Sequence, residues 1–301
     1  MSKRRPLPGR RAIPLLATGV MLAITYLLFR ENIDLEQIGR SLSSIRIWAI
    51  VAAVAALIAN FAISSQRYRL ILLGMDCAAP SFAKLFGLTF VSLFAAHLIA
   101  VGPSADMVRV GYGKWLAGLP MRTMVASVIY DRALAVVASI GVGVLAIPLQ
   151  LALAVPPEIW LPQVLLWAVS IAAMLVSGRY VGAVREFFRV SLGREYAVRQ
   201  VVFAALHPLS FGFAMWWLAF GMGLDLALLL VLALSPLFIL GQSLPLFFVG
   251  WGMRETIVVT TLATMSAATA SQALALSVAT GAAFFLATLP GLPLLFAMRK
   301  T

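Results

Sequence analysis

The chain is short of charge, of cysteine and of histidine. Only 11% of its 301 residues are charged, against about 25% in a soluble domain. Such a chain cannot clothe a globule in polar surface, so a soluble fold is excluded. The single cysteine, Cys77, rules out a disulfide framework or a cysteine-based metal site and reads as a small packing residue. His97 and His207 are the only histidines, and each suits a hydrogen-bonded place between helices better than metal ligation or proton relay. No G-x-S-x-G elbow, HExxH pair, Walker loop or Cys/His nucleophile set occurs, and the acids are few and dispersed. A hydrolase or nucleotide-driven pump is therefore disfavoured; no metal, no cofactor and no enzymatic activity are expected.

What is abundant is apolar sequence: 62% of residues are hydrophobic and the mean hydropathy is +1.00. The runs are too continuous for the alternation of a β-barrel. The net charge of +12 comes from short basic blocks between apolar runs, with no aromatic-interleaved basic face for stacking bases. That is the positive-inside pattern of a polytopic protein, with some basic residues free to meet anionic lipid headgroups. Nucleic acid is not an expected partner. The fold expected is all-α: a single integral membrane domain over 1–301, a bundle of about seven or eight transmembrane helices with one or two broken or re-entrant segments.

Residues 12–29 read as a retained anchor behind Lys3, Arg4, Arg5, Arg10 and Arg11, with the N-terminus cytoplasmic. Residues 47–64 return to the inside, where Arg67 and Arg69 read as positive-inside anchors within reach of lipid phosphate. Residues 85–101 carry basic residues at both flanks, which favours a segment that enters and leaves on the cytoplasmic side, although a plain span is the alternative. Further runs cover 124–147, 161–177, 201–220, 226–249 (interrupted by Pro236 and Pro245), 256–268 and 273–298. The loop 178–199 is rich in arginine and reads as cytoplasmic; Val181, Val184, Phe187 and Phe188 within it could line a short interfacial helix. Pseudo-halves of about 40–177 and 200–298 would permit an inverted repeat, and the side of the C-terminus stays open.

Two places combine Pro and Gly with charge: Gly102-Pro103-Ser104-Ala105-Asp106 running to Arg109, and Pro245 running through Gly250-Trp251-Gly252 to Arg254-Glu255. Irregular backbone beside charge is tolerated in a membrane only where protein buries it or a wet cavity receives it. Ser104 is a fitting N-cap, and Asp106 and Arg109, three apart on one helix face, could pair. The bland alternative is a capped cytoplasmic turn with an interfacial ion pair. Asp131-Arg132 interrupts an apolar run about 10 Å below its start at Met124. A charge at the bilayer centre costs roughly 2.5–3.5 kcal/mol on insertion scales, so this pair should face the bundle interior. Neighbours on a helix point about 100° apart, and the two should reach different partners. Arg254 opposes the dipole of the helix it opens and so needs an anionic partner, a protein carboxylate or a ligand phosphate. Glu255 is favoured there, and Gln242 and Ser243 could add polar contacts.

With Arg67-Tyr68, Gly102-Pro-Ser-Ala-Asp106-Met-Val-Arg109, Asp131-Arg132 and Pro245 to Glu255, the chain resembles the lysylphosphatidylglycerol synthase transmembrane region family of flippase-like membrane proteins. It departs from the family pattern in having Ser104-Ala105 for Gly-Gly and Asp131 for Glu. The resemblance implies a bacterial inner-membrane protein that moves a phospholipid or glycolipid headgroup between leaflets. In the fused members a separate soluble domain synthesises the lipid, and that activity is not expected here. Gly102, Ser104, Asp106, Arg109, Asp131, Arg132, Gln242, Gly250, Trp251, Gly252, Arg254 and Glu255 form the expected lipid-binding set. The arginines would hold a headgroup phosphate, and the acids would orient them or take a cationic head. The alternative is a non-catalytic subunit that binds lipid and docks a synthase or glycosyltransferase through 178–199. An intramembrane enzyme using Asp106 or Glu255 as base is a weaker third reading, since no nucleophile or metal site accompanies them.

Overall fold

The computed structural model describes residues 33–99, 104–180, 182–193, 196–243 and 253–298, and every regular element among them is an α-helix. Four helices are long and apolar enough to cross a membrane. They are α2 (Ile47–Gly74), α5 (Met121–Leu145), α9 (Ala197–Gly221) and α12 (Ala270–Thr288). Shorter helices fill the spaces between them: α1 (Leu35–Ser43), α3 (Phe82–Ile99), α4 (Ser104–Ala117), α6 (Ile147–Ala152), α7 (Pro157–Tyr180), α8 (Gly182–Leu192), α10 (Leu228–Ser243), α11 (Met253–Thr264) and α13 (Gly291–Met298).

The central pair is α2 against α9, running antiparallel. Arg46 N–H donates to the Gly221 carbonyl at 3.3 Å, and further down Asn60 Nδ2 donates to the His207 carbonyl at 2.7 Å. Gly221 is placed where any side chain would strike Ala49, so the backbones approach closely, as small residues allow between membrane helices. Trp48, Trp216, Trp217 and Phe220 cluster at this end, the placement expected of an interfacial aromatic belt. At the opposite end Gly74 abuts the Val190 carbonyl of α8.

Two helical hairpins are inserted between these crossings, and they open at opposite ends. In the first, α3 rises from the Gly74 end: Leu85 and Leu88 pack with Tyr68 and Leu72, and Phe90 meets Phe61 edge-on. Its return limb α4 descends to the same end, where Val110, Tyr112 and Leu119 join Leu85, Leu88 and Ala79. In the second, α10 starts at the tryptophan end, where Trp216 Nε1 donates to the Leu226 carbonyl at 3.0 Å. It descends beside α9, with Gly212 against Ser235 and Val231. The limb α11 returns to the tryptophan end, where the next turn, at Thr269, donates to Gln37 of α1 and Ser271 accepts from Asp34 N–H at 2.7 Å.

Several boundaries differ from the sequence expectation. Pro236 does not interrupt its run, because the carbonyls around it are satisfied: Ser235 Oγ donates to Leu232 O at 2.9 Å and Gln150 Nε2 to Ala233 O at 3.1 Å. Such repairs are what let proline sit inside membrane helices. Conversely, 273–298 is not one span. It breaks after Thr288, and Gly291 then comes so close to the Phe90 carbonyl and Phe94 that no side chain would fit. With Phe284 and Phe285 beside His97 and Gly291 beside Phe90, α13 continues along α3 toward the Gly74 end. His97 is the helix-packing residue expected, with Nδ1 at 2.8 Å from the Leu93 carbonyl. Nor does Phe187 face lipid, since it is buried with Ile71, Tyr130 and Ala204. α8 is strapped to the α2 end by Arg189, which donates to Glu186 and Asp76 at 2.6 and 3.2 Å. The hydrogen bond from Arg189 holds the Glu186 carboxyl below its ordinary range, so this pair within α8 is intact above that range and is lost as pH falls through the lowered value.

Two outcomes test this arrangement. In a Cys77→Ser background, Ser81→Cys and Pro120→Cys are labelled from one side of the membrane, and Asp225→Cys and Thr264→Cys from the other. Labelling of the first two from opposite sides would refute the α3–α4 hairpin. Gly212→Leu forces α10 away from α9 and costs about 1–3 kcal/mol, seen as a lower unfolding temperature in detergent.

Candidate functional site

The buried charges gather where α2, α4 and α5 meet. On α2, Arg67 and Tyr68 are neighbours and so point apart. Arg67 Nε donates to Asp131 Oδ1 at 2.8 Å, while Tyr68 exchanges a hydrogen bond with Ser127 at 2.8 Å. From α4, Arg109 donates to the other oxygen, Asp131 Oδ2, at 2.9 Å, and its guanidinium lies 5.0 Å from the centroid of the Tyr68 ring. One carboxylate therefore sits between two guanidinium groups, with side chains of Arg67, Arg109 and Asp131 only 3%, 8% and 3% exposed. Burial of an ion is tolerated when each charge is paired and hydrogen-bonded, and here the pairing is tight on the acid's side.

One residue on, Arg132 points elsewhere. Its Nε and one terminal nitrogen donate to Asp106 at 3.0 and 2.9 Å, a forked contact of the kind arginine makes with carboxylates. This pair is open, at 44% and 23% exposure, although Arg132 stands near the middle of the 25-residue α5. The expectation that Asp131 and Arg132 reach different partners holds. The expected Asp106–Arg109 pair on α4 does not form. Packing of α4 on α5 crosses the partners instead, Asp106 to Arg132 and Arg109 to Asp131. Arg67, expected as an anchor at the membrane surface, is a buried ionic centre.

A second cluster stands on α11 and α12. Arg254 Nε donates to Ser277 Oγ at 3.0 Å and to Glu255 Oε1 at 3.1 Å. Ser277 Oγ donates to the same carboxylate oxygen at 3.2 Å. Arg254 and Glu255 are 5% and 3% exposed, so the anionic partner that Arg254 requires is the adjacent carboxylate. Ser104 opens α4 and is buried. Gly102, Gly250, Trp251 and Gly252 lie outside the described residues, as does the side chain of Gln242 near the end of α10. No group of three potential metal ligands occurs among the described residues.

Against known families, the Lysylphosphatidylglycerol synthase TM region matches residues 14–291, nearly the whole chain. The chain belongs to that family. It is thus a multi-pass membrane protein, related to proteins of lipid modification and flippase-type function. No curated protein matches it. In this member of the lysylphosphatidylglycerol synthase transmembrane family, motifs far apart in sequence meet: Arg67, Arg109 and Asp131 in one ionic cluster, and Asp106 with Arg132 beside it. Sequence reasoning missed Ser127 and Ser277 as hydrogen-bonding partners and Asn60 as the residue that pins His207. A usable signal existed on α2, where Asn60 and Arg67 are seven apart and share one face of an apolar helix.

Asp131→Leu leaves two buried guanidinium groups without their acid, a loss of about 3–5 kcal/mol. Denaturation in detergent should show this as a large fall in stability. Asp131→Glu should recover most of it.

Proposed function

We propose that the protein moves a lipid headgroup, of a phospholipid or a glycolipid, across the bacterial inner membrane along a polar path at the α4–α5 contact. The observation that carries this reading is the Asp106–Arg132 pair, partly open yet at mid-height of a spanning helix. A charge facing acyl chains there is costly, so an open forked pair at that depth makes sense as the rim of a hydrated groove. A lipid needs only that: its head passes along the polar rim while its tails stay in the bilayer. Behind the rim, the Arg67–Asp131–Arg109 cluster supplies positive charge in a medium of low dielectric, where attraction to a phosphate is strong. The opposite openings of α3–α4 and α10–α11 support an inverted repeat, the design in which sites at the repeat interface open alternately to each side. By the positive-inside rule the Gly74 end, with Arg69, Lys84 and Arg189 near it, is cytoplasmic. That orientation puts the α13 end there too. No chemistry on the lipid is part of this reading.

Arg254 and Glu255 fit as the counterpart cluster of the second half. In the alternative, the chain is a lipid-binding subunit that docks a membrane-associated synthase or glycosyltransferase through 178–199. Three charges near that surface are already spent on one another, Arg189 with Glu186 and Asp76, which favours the path over the dock.

Purified protein in liposomes, followed by dithionite quenching of a fluorescent phospholipid and of a fluorescent glycolipid, tests the reading. Wild type should move one of them. Asp106→Asn and Arg132→Gln should each slow it about tenfold or more, the loss of about 1.4 kcal/mol of stabilisation, at unchanged unfolding temperature. No lipid movement by wild type, with co-purification of one stable enzyme partner, would replace this function by the docking role.

A further inference from the structure

Residues 107–130 hold three basic side chains and no acid. One of the three, Arg109, is spent on Asp131. The other two, Lys114 and Arg122, are exposed, and neither is in an ion pair among the described residues. Basic residues are expected at any cytoplasmic face; what sets these two apart is where the helices put them. The α4–α5 contact has its register fixed at two heights. Asp106 meets Arg132 at 2.9 Å, and lower down any side chain at Gly113 would strike Met124. Lys114 follows Gly113 by one residue and Arg122 precedes Met124 by two, so both stand at the cytoplasmic end of the contact that carries the open pair. On α5 the exposed residues over this length are Met121, Arg122, Val125, Ile129 and Arg132, at spacings that make one helix face. On α4, Met107, Gly111 and Lys114 are exposed in the same way, and the place of a Gly111 side chain has no atom within 4 Å. Arg122 lies ten residues before Arg132, about 15 Å along the helix, or half of a hydrocarbon core of roughly 30 Å. With Arg132 at mid-height, Arg122 stands at the level of the headgroups of the cytoplasmic leaflet.

We propose that Lys114 and Arg122 form a basic mouth at the cytoplasmic leaflet, which draws lipids with heads of net negative charge onto the α4–α5 face. This rests on the lipid-path reading above and narrows it, from phospholipid or glycolipid to an anionic lipid taken from the inner leaflet. An anionic head gains from both cations, whereas a zwitterionic head brings its own cation and gains little. No carboxylate on either helix stands between the mouth and the Asp106–Arg132 pair to repel such a head. Val125 and Ile129 offer the acyl chains an apolar wall above the mouth, and Gly111 leaves the opposite wall without a side chain.

The test measures local lipid enrichment and requires no crossing. In a Cys77→Ser background, Gly111→Cys carries a bimane fluorophore in liposomes of phosphatidylcholine, and quenching by bromine-labelled phosphatidylglycerol is compared with that by bromine-labelled phosphatidylcholine. A basic residue near a charged head is worth about a fivefold gain, so the two together should favour phosphatidylglycerol about twentyfold. Lys114→Gln and Arg122→Gln should each lower the preference about fivefold, and the double variant should bring it close to one. Salt at about 1 M, where the screening length is about 3 Å, should remove most of it. Val176→Cys, exposed near the cytoplasmic end of α7 and followed by Arg179 and Arg185, reports what an ordinary basic flank does. A preference at Gly111 no greater than at Val176, or one kept in full by the double variant, would overturn the mouth. Lipid movement without enrichment strikes the mouth alone, and enrichment without movement strikes the path alone.

Discussion

The fold around the candidate site depends on one constraint: a carboxylate, Asp131, is held inside an apolar bundle by two guanidinium groups from two other helices. Low dielectric makes each attraction strong and each unpaired charge costly. Arg67 on α2 and Arg109 on α4 can both be satisfied only if α5 presents Asp131 between them. The ion triad therefore fixes the register of three helices at once, something apolar packing between lipid-solvated helices does weakly. Tyr68 extends the same contact in both directions, stacking under Arg109 and bonding Ser127. Arg109 can then neither withdraw nor rotate without giving up two partners.

Glycine supplies the complementary constraint. Where α9 meets α2 at Gly221, and where α13 meets α3 at Gly291, the backbones come too close for a side chain. These contacts set the distances between elements, while the ion triad sets their height. The hairpins α3–α4 and α10–α11 then take opposite senses because each must return to the end from which its flanking crossing came. The ionic clusters follow from this: Arg109 and Asp106 lie on the return limb of one hairpin, Arg254 and Glu255 at the start of the return limb of the other.

Much of this was legible in the sequence, and what was not has a physical reason. Continuous apolar runs announced helices. The charged residues at Asp106–Arg109, Asp131–Arg132 and Arg254–Glu255 stood out because they interrupt those runs. Their partners did not, because rules for residues three or four apart see only one helix. Asp106 and Arg109 satisfy that spacing, yet each is drawn across to α5, where a second pair of opposite charges waits at matching height. Arg67 was misplaced for a related reason: near the end of an apolar run, a basic residue looks like an interfacial anchor until a buried acid is found opposite it. Proline was read by its local rule as well. At Pro236 the rule fails because Ser235 and Gln150 supply the donors that the helix lacks there.

The separation of charges into a closed triad and an open pair also says what kind of movement the site can support. If all three arginines were as deeply paired as Arg254, the cluster would be a clamp and nothing more. If all were as open as Arg132, the bundle would lose the register that Asp131 imposes. The observed division leaves the α2–α4–α5 junction rigid on its inner side and separable on its outer side, at a contact with three charge-assisted hydrogen bonds. Exposed pairs of this sort contribute little to stability, on the order of 0.2–1 kcal/mol, so parting Asp106 from Arg132 would cost the fold little. The inner triad cannot be opened so cheaply, since parting either arginine from Asp131 would leave a buried charge unpaired.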